Sequence, residues 1–333
     1  GWIAGLYVFA LLGLIALERW GQTSERFPLV LRGTLRWVWI APITLAMLLG
    51  GFLLLFNLPN GPLAGLRQES GLGRLGTILD LNTGTNRVRT LIWQGAIRLI
   101  APHQPLTYPD GTLDRFNALR PLIGHGPESM WVAFNPFYPP ELAHLEARNA
   151  SPDRSHNETF DALVTTGLLG FLAYFYLFTS IFYYSLHWLG LIRTRADRHL
   201  FLVLGLAGAV GGVLAVWTWD HSLRLAGVGL PFGFIIGIVL YITLAALRAS
   251  QASGNMGKES ILTGGQLKAA ANPITGEVYS QRELLIIALL STIVAHFVEI
   301  HFGIAIAASR TYFWALSALL VVVGTGRLSE ESA

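Results

Sequence analysis

Asp153-Arg154-Ser155-His156-Asn157-Glu158 sets an imidazole between a guanidinium and a carboxylate, where a long polar segment runs into a long apolar one. Polar residues at such a junction can meet lipid-linked substrates. Ser155-x-x-Glu158 has the form of a capping box, which predicts Ser155 as the N-cap of the apolar helix and Glu158 as its N3 partner. His156 then falls in the first turn. The positive end of a helix disfavours a charged imidazole, so His156 is expected to be neutral, able to donate one hydrogen bond and accept another. That suits a general base or a hydroxyl-orienting group.

Other polar groups have spacings that bear on the same chemistry. His296 and Glu299 lie one turn apart in an apolar run and share a helix face. Ionisable residues at membrane depth are functional candidates by default. His301 stands roughly 140° round the same helix from His296, which argues against a metal held by those two. Asp220 and His221 follow another apolar run. Arg87, Arg89 and Arg98 are interspersed along 86–100, where Val88, Leu91, Ile92, Gly95, Ala96 and Leu99 recur at helical spacing. This predicts an amphipathic helix, lying on the membrane or packed on the bundle. Its arginines can snorkel to headgroups or capture phosphate oxygens in pairs. Gly124-His125-Gly126-Pro127-Glu128 reads as a tight loop whose glycines let backbone approach a ligand closely. Pro139-Pro140-Glu141 opens a short helix running to about Arg148.

These residues must be positioned by membrane helices. The 333-residue chain is 53% hydrophobic and only 13% charged, about half the charge of a soluble domain; its mean hydropathy is +0.51. It contains no cysteine, which excludes disulfides, thiolate catalysis and cysteine-ligated metals. A net charge of +3, spread thinly, suggests no nucleic-acid partner. Seven apolar stretches reach spanning length, at roughly 1–17, 37–56, 159–190, 199–218, 226–247, 283–306 and 311–325. The chain begins inside an apolar run without Met, which reads as a truncated or processed N-terminus and not a signal peptide.

The short basic loops 18–36 and 191–198, with 248–282, alternate with loops poor in Lys and Arg. Basic loops face the cytoplasm, so 57–158 is expected outside it. That segment holds nine basic residues and nine acids, so it is neutral overall. The organisation is two transmembrane helices in 1–56, an extracytoplasmic loop with short amphipathic helices in 57–158, three transmembrane helices in 159–247, a flexible cytoplasmic loop in 248–282, and two transmembrane helices with a tail in 283–333. No internal repeat is visible.

The order of motifs resembles the O-antigen ligase and O-antigen polymerase-like superfamily of bacterial membrane glycosyltransferases. The matching residues are Arg89-Thr-Leu-Ile-Trp93, Pro121-Leu-Ile-Gly124-His-Gly126-Pro-Glu-Ser, Ser155-His156-Asn157-Glu158-Thr-Phe160 and Leu163-Val-Thr-Thr-Gly167-Leu-Leu-Gly170. The resemblance is close over about 85–190 and rests on hydropathy beyond. It implies an all-α, polytopic, GT-C-like fold in the bacterial cytoplasmic membrane. It further implies en bloc transfer or polymerisation of an oligosaccharide from undecaprenyl diphosphate onto a hydroxyl of a glycan or glycolipid acceptor, at the outer face. Neither a metal nor a cofactor is implied. His156 is the catalytic candidate; Arg89, Arg154, Glu158, His296 and Glu299 are the substrate-binding candidates. Family members usually carry more spans than the seven found here, chiefly ahead of the large loop. The competing readings are an ion- or solute-transporting protein using His296, Glu299 and Asp220, and a catalytically inactive membrane scaffold of the same fold.

Overall fold

The computed structural model describes residues 2–23, 84–108, 110–148, 150–263 and 276–326, with isolated positions between 48 and 82. Only the backbone is described at 2–3, 16–23, 249–263 and 276–280. The described chain is all-helical apart from one isolated bridge, Thr107 to Leu113. In chain order the helices are α1 (Trp2–Thr23), α2 (Gly84–Ile100), α3 (Arg120–Ile123), α4 (Met130–Ala133), α5 (Glu158–Trp188), α6 (Arg195–Asp220), α7 (Ala226–Thr263), α8 (Gly276–Glu299) and α9 (Ala307–Thr325).

Among the described residues five stretches are long and apolar enough to cross a membrane: Glu158–Trp188, Arg195–Asp220, Ala226–Arg248, Gln281–Glu299 and Ala307–Thr325. α1 carries a shorter apolar stretch, Ala4–Ile15. The predicted span 37–56 lies largely outside the described residues. Two boundaries differ from expectation. The predicted span 283–306 ends at Glu299, and 300–306 form a non-helical corner leading to α9. The segment 248–282, read from composition as flexible, is helical to Thr263 and again from Gly276; 264–275 lie outside the described residues.

The apolar periodicity resolves into two cores. The larger is a bundle core in which Phe178, Phe182, Phe234, Phe297 and Phe313 join α5, α7, α8 and α9. Their rings lie 4.7 to 6.3 Å apart. The smaller core lies under α2. Leu91, Ile92, Trp93, Ala96 and Leu99 pack with Met130, Phe134, Leu142, Phe160 and Leu225. The amphipathic helix is thus packed on protein, on the face its spacing predicts.

α6 and α7 pack through glycine. Gly208 and Gly212 on α6 meet Gly229, Gly233 and Gly237 on α7 so closely that a Cβ on any of them would overlap facing backbone. Among membrane helices small residues at four-residue spacing permit this approach. α5 also needs one glycine conformation. It breaks at Gly167, whose φ of 66° leaves the helical region, freeing two carbonyls one turn earlier. Those carbonyls, Val164 O and Thr165 O, accept from His125 N at 2.7 Å and Gly126 N at 2.9 Å.

Gly233→Leu is expected to drive the α6 and α7 backbones apart at a cost of about 3 kcal/mol. Gly211→Leu, on the same pair of helices but with nothing within 4 Å, should be neutral. Thermal unfolding of the detergent-solubilised variants measures both.

Candidate functional site

The site is assembled on the turn 155–157. Trp93, on the buried face of α2, donates its indole N–H to Ser155 O at 2.8 Å. Ser155 N donates to Asp161 Oδ1 at 2.7 Å, and the Ser155 hydroxyl donates to Asn157 O at 2.8 Å. Asn157 is the N-cap of α5: its Oδ1 accepts from Phe160 N at 3.2 Å. Its amide N–H groups donate to Gly227 O at 2.8 Å and His301 O at 2.9 Å. Ser155 and Asn157 are both fully buried. His156 stands between them, half-buried, with φ at 57°. A left-handed residue other than glycine costs about 1–2 kcal/mol; the two buried anchors hold it there.

This corrects the predicted cap. The N-cap is Asn157 and not Ser155, and His156 lies before the helix and outside its first turn. Asn157 displaces Ser155 because its side chain caps α5 while tying it to two other segments, which a serine hydroxyl cannot reach. Glu158, the first residue of α5, does not close a capping box. Its carboxylate pairs with Arg310, 3.0 Å from Oε1, and its N–H donates to Ile300 O at 3.0 Å.

The remaining candidates divide into two groups. Arg154 forms an ion pair with Glu128, a residue that also has positive φ, 54°. Arg89 lies one turn before Trp93, so it shares that indole's face of α2. It is half-buried, and burial pushes its guanidinium below the ordinary value while leaving it charged at neutral pH. Among the described residues Arg89 has no hydrogen-bond or ion-pair partner, whereas Arg87 pairs with Glu141. His296 and Glu299 belong elsewhere. With Gly5, Phe9, Ser309 and Tyr312 they line a largely apolar cleft of about 560 Å³ between α1, α8 and α9. His296 stacks on Phe313, centroids 5.4 Å apart. No described residue lining this cleft comes from α2 or from 154–158. Asp220 and His221 end α6, where Arg224 takes the Asp220 carboxylate.

Two groups, Asp161 and Arg120, were not picked out by sequence, and a third, Arg310 ahead of the last span, was placed without its partner. Asp161 sits in the first turn of α5, where an acid reads as ordinary dipole compensation. Arg310 reaches Glu158 across more than a hundred residues of chain. Arg120 forks onto Asp114 at 2.7 and 2.9 Å and donates to Gly124 O at 3.0 Å. Its guanidinium, through that hydrogen bond, holds the Asp114 carboxyl below the usual range. The Gly124–Gly126 loop thus approaches the backbone of α5 itself. A Cβ on Gly124 would overlap Thr165, and one on Gly167 would overlap Leu122. His125 is carried there with it, and burial first, then Arg120, pushes its imidazole down to about 4.

No model of a known protein family matches the chain, nor does any curated protein or any solved structure.

Asn157→Ala removes three hydrogen bonds and leaves two buried carbonyls unpaired. A loss of about 3 kcal/mol is expected, read as a lower unfolding midpoint. A second expectation concerns acid. Unfolded, His125 takes a proton near its ordinary 6.5; folded, it resists until about 4. The unfolded state binds that proton first, so stability is full above 6.5 and declines as pH falls toward 4. Amide exchange at 120–126, corrected for its intrinsic pH dependence, should speed up over that window in the native protein and not in His125→Asn.

Proposed function

We propose that the chain is a membrane glycosyltransferase that moves an oligosaccharide from a polyprenyl diphosphate, undecaprenyl diphosphate by the resemblance, to a hydroxyl of a glycan or glycolipid acceptor, in the manner of an O-antigen ligase or polymerase. The observation that carries this reading is the turn 155–157. An imidazole is held half-exposed between two buried anchors, at the start of a membrane-spanning helix, and is tied through Trp93 to the helix bearing a half-buried arginine that has no partner among the described residues. The bacterial cytoplasmic membrane, with 57–158 on its outer face, is part of the same proposal and is supported by the distribution of Lys and Arg.

In the reaction the acceptor oxygen bonds to the anomeric carbon as the bond from that carbon to the diphosphate breaks. His156 takes the hydroxyl proton. The electron pair goes to the diphosphate, whose growing charge is met by Arg89 and, once released from Glu128, by Arg154. Cations already half-desolvated stabilise such charge without reorganising water. Glu158 and Arg310 hold the corner 300–306 against the start of α5. His296 and Glu299 line an apolar cleft fit for part of a lipid-linked substrate. The same imidazole and carboxylate are what an ion-transporting protein would use, and ion flux in liposomes would favour that reading.

Transfer is assayed with purified protein, a polyprenyl-diphosphate oligosaccharide and acceptor. His156→Ala should lose at least about 10²-fold in rate and Arg89→Ala about 10²-fold. Arg98→Ala, exposed on the same helix, should match the native protein. Full activity in His156→Ala removes the base from the mechanism.

A further inference from the structure

Asp161 is the charged side chain near the turn that the reaction above leaves without a task. One oxygen accepts Ser155 N–H at 2.7 Å, which ties the carboxylate to the residue directly before His156. The other, Oδ2, is buried and has no hydrogen-bond partner among the described residues. A buried carboxylate oxygen without a donor is expensive, and a hydrogen bond to Ser155 alone needs only one oxygen. The neighbouring charges are already matched: Arg154 with Glu128, and Glu158 with Arg310. Asp161 has no such partner among the described residues. Its carboxylate lies within electrostatic reach of both His156 and Arg154.

We propose that Asp161 is the positioning residue of His156: Oδ1 fixes the turn, and Oδ2 receives an imidazole N–H as the ring takes up the acceptor's proton. This rests on the reading of His156 as the base. The ring then presents one nitrogen to the substrate hydroxyl and the other to a fixed anion, so that the imidazolium forms beside a negative charge. Oδ2 and the His156 ring are not hydrogen-bonded in this structure; catalytic hydrogen bonds often tighten only in the complex with substrate. The proton moves from the acceptor oxygen to the free nitrogen, and Asp161 itself remains ionised.

Asp161→Asn is the discriminating change, because it keeps an oxygen to accept Ser155 N–H and removes only the charge. The readout is carbethoxylation of His156 by diethyl pyrocarbonate, followed by mass spectrometry across pH. Exposed His144 serves as internal reference. In Asp161→Asn the His156 midpoint should fall by about one pH unit relative to the native protein while that of His144 stays put, and Asp161→Glu should restore part of the difference. The acidic limb of the transfer rate should move the same way, with kcat reduced about 10²-fold and the donor KM little changed. An unchanged His156 midpoint in Asp161→Asn overturns the proposal. Because the labelling does not require turnover, it tests the pairing even where His156→Ala proves fully active and the base reading fails.

Discussion

A single carboxamide joins the three segments that meet at the candidate site. Asn157 caps α5 with its oxygen and reaches the first turn of α7 and the corner after α8 with its nitrogen. These three segments are distant in sequence, and each ends a membrane helix at the same level. Each helix end leaves backbone groups that apolar surroundings cannot satisfy. One buried amide satisfies one donor and two acceptors at once. Aspartate would bring a second oxygen toward those carbonyls, and serine is too short to span them. The geometry of His156 follows from this, since the residue lies between the amide and a serine that is itself held from both sides.

Close backbone approach does the rest. The kink at Gly167 opens α5 by one turn, and the loop 124–126 fills the opened carbonyls with its own N–H groups. The loop is therefore hydrogen-bonded into a spanning helix and does not simply rest upon it. α2 is fastened to the turn 155–157, ahead of α5, through Trp93. The α6–α7 contact uses the same device without a kink, because paired glycines let two helices touch along several turns. Packing at that distance supplies dispersion and weak Cα–H contacts where the hydrophobic effect is absent.

What could be read from sequence follows from which forces are local. Helices longer than a bilayer announce themselves by composition, and the face of α2 by the spacing of Leu91, Ile92, Gly95, Ala96 and Leu99. The glycine contact was not picked out from sequence, although Gly208–Gly212 and Gly229–Gly233–Gly237 carry the four-residue spacing. The cap was misassigned because Ser-x-x-Glu and Asn at the next possible position are equally good local signals. Tertiary reach decided between them: Gly227 O and His301 O lie 70 and 144 residues away. The same limit hid the partner of Arg310, a carboxylate 152 residues distant. His296 and Glu299 did share a face, but helix periodicity carries no information about which neighbour that face meets. Here it meets α1 and α9, forming a cleft of its own.

The charges around the turn show why these placements belong to one device. Arg154 is matched by Glu128, Glu158 by Arg310, Arg87 by Glu141 and Asp114 by Arg120. Such pairs fix geometry, and they leave little field to act on a substrate. Among the described residues two ionisable groups tied to the turn stand outside them. Arg89 is a half-buried cation on the helix that Trp93 fastens to Ser155, and Asp161 is a buried carboxyl group bonded to the same serine. An isolated half-buried charge is tolerated when its counterion arrives during function. Under the proposed transfer both imbalances are relieved in one step. The departing diphosphate gives Arg89 its anion at the moment the protonated ring of His156 gives Asp161 its cation. A ground state that leaves both unmatched, and a transition state that matches both, is the asymmetry that catalysis by differential binding requires.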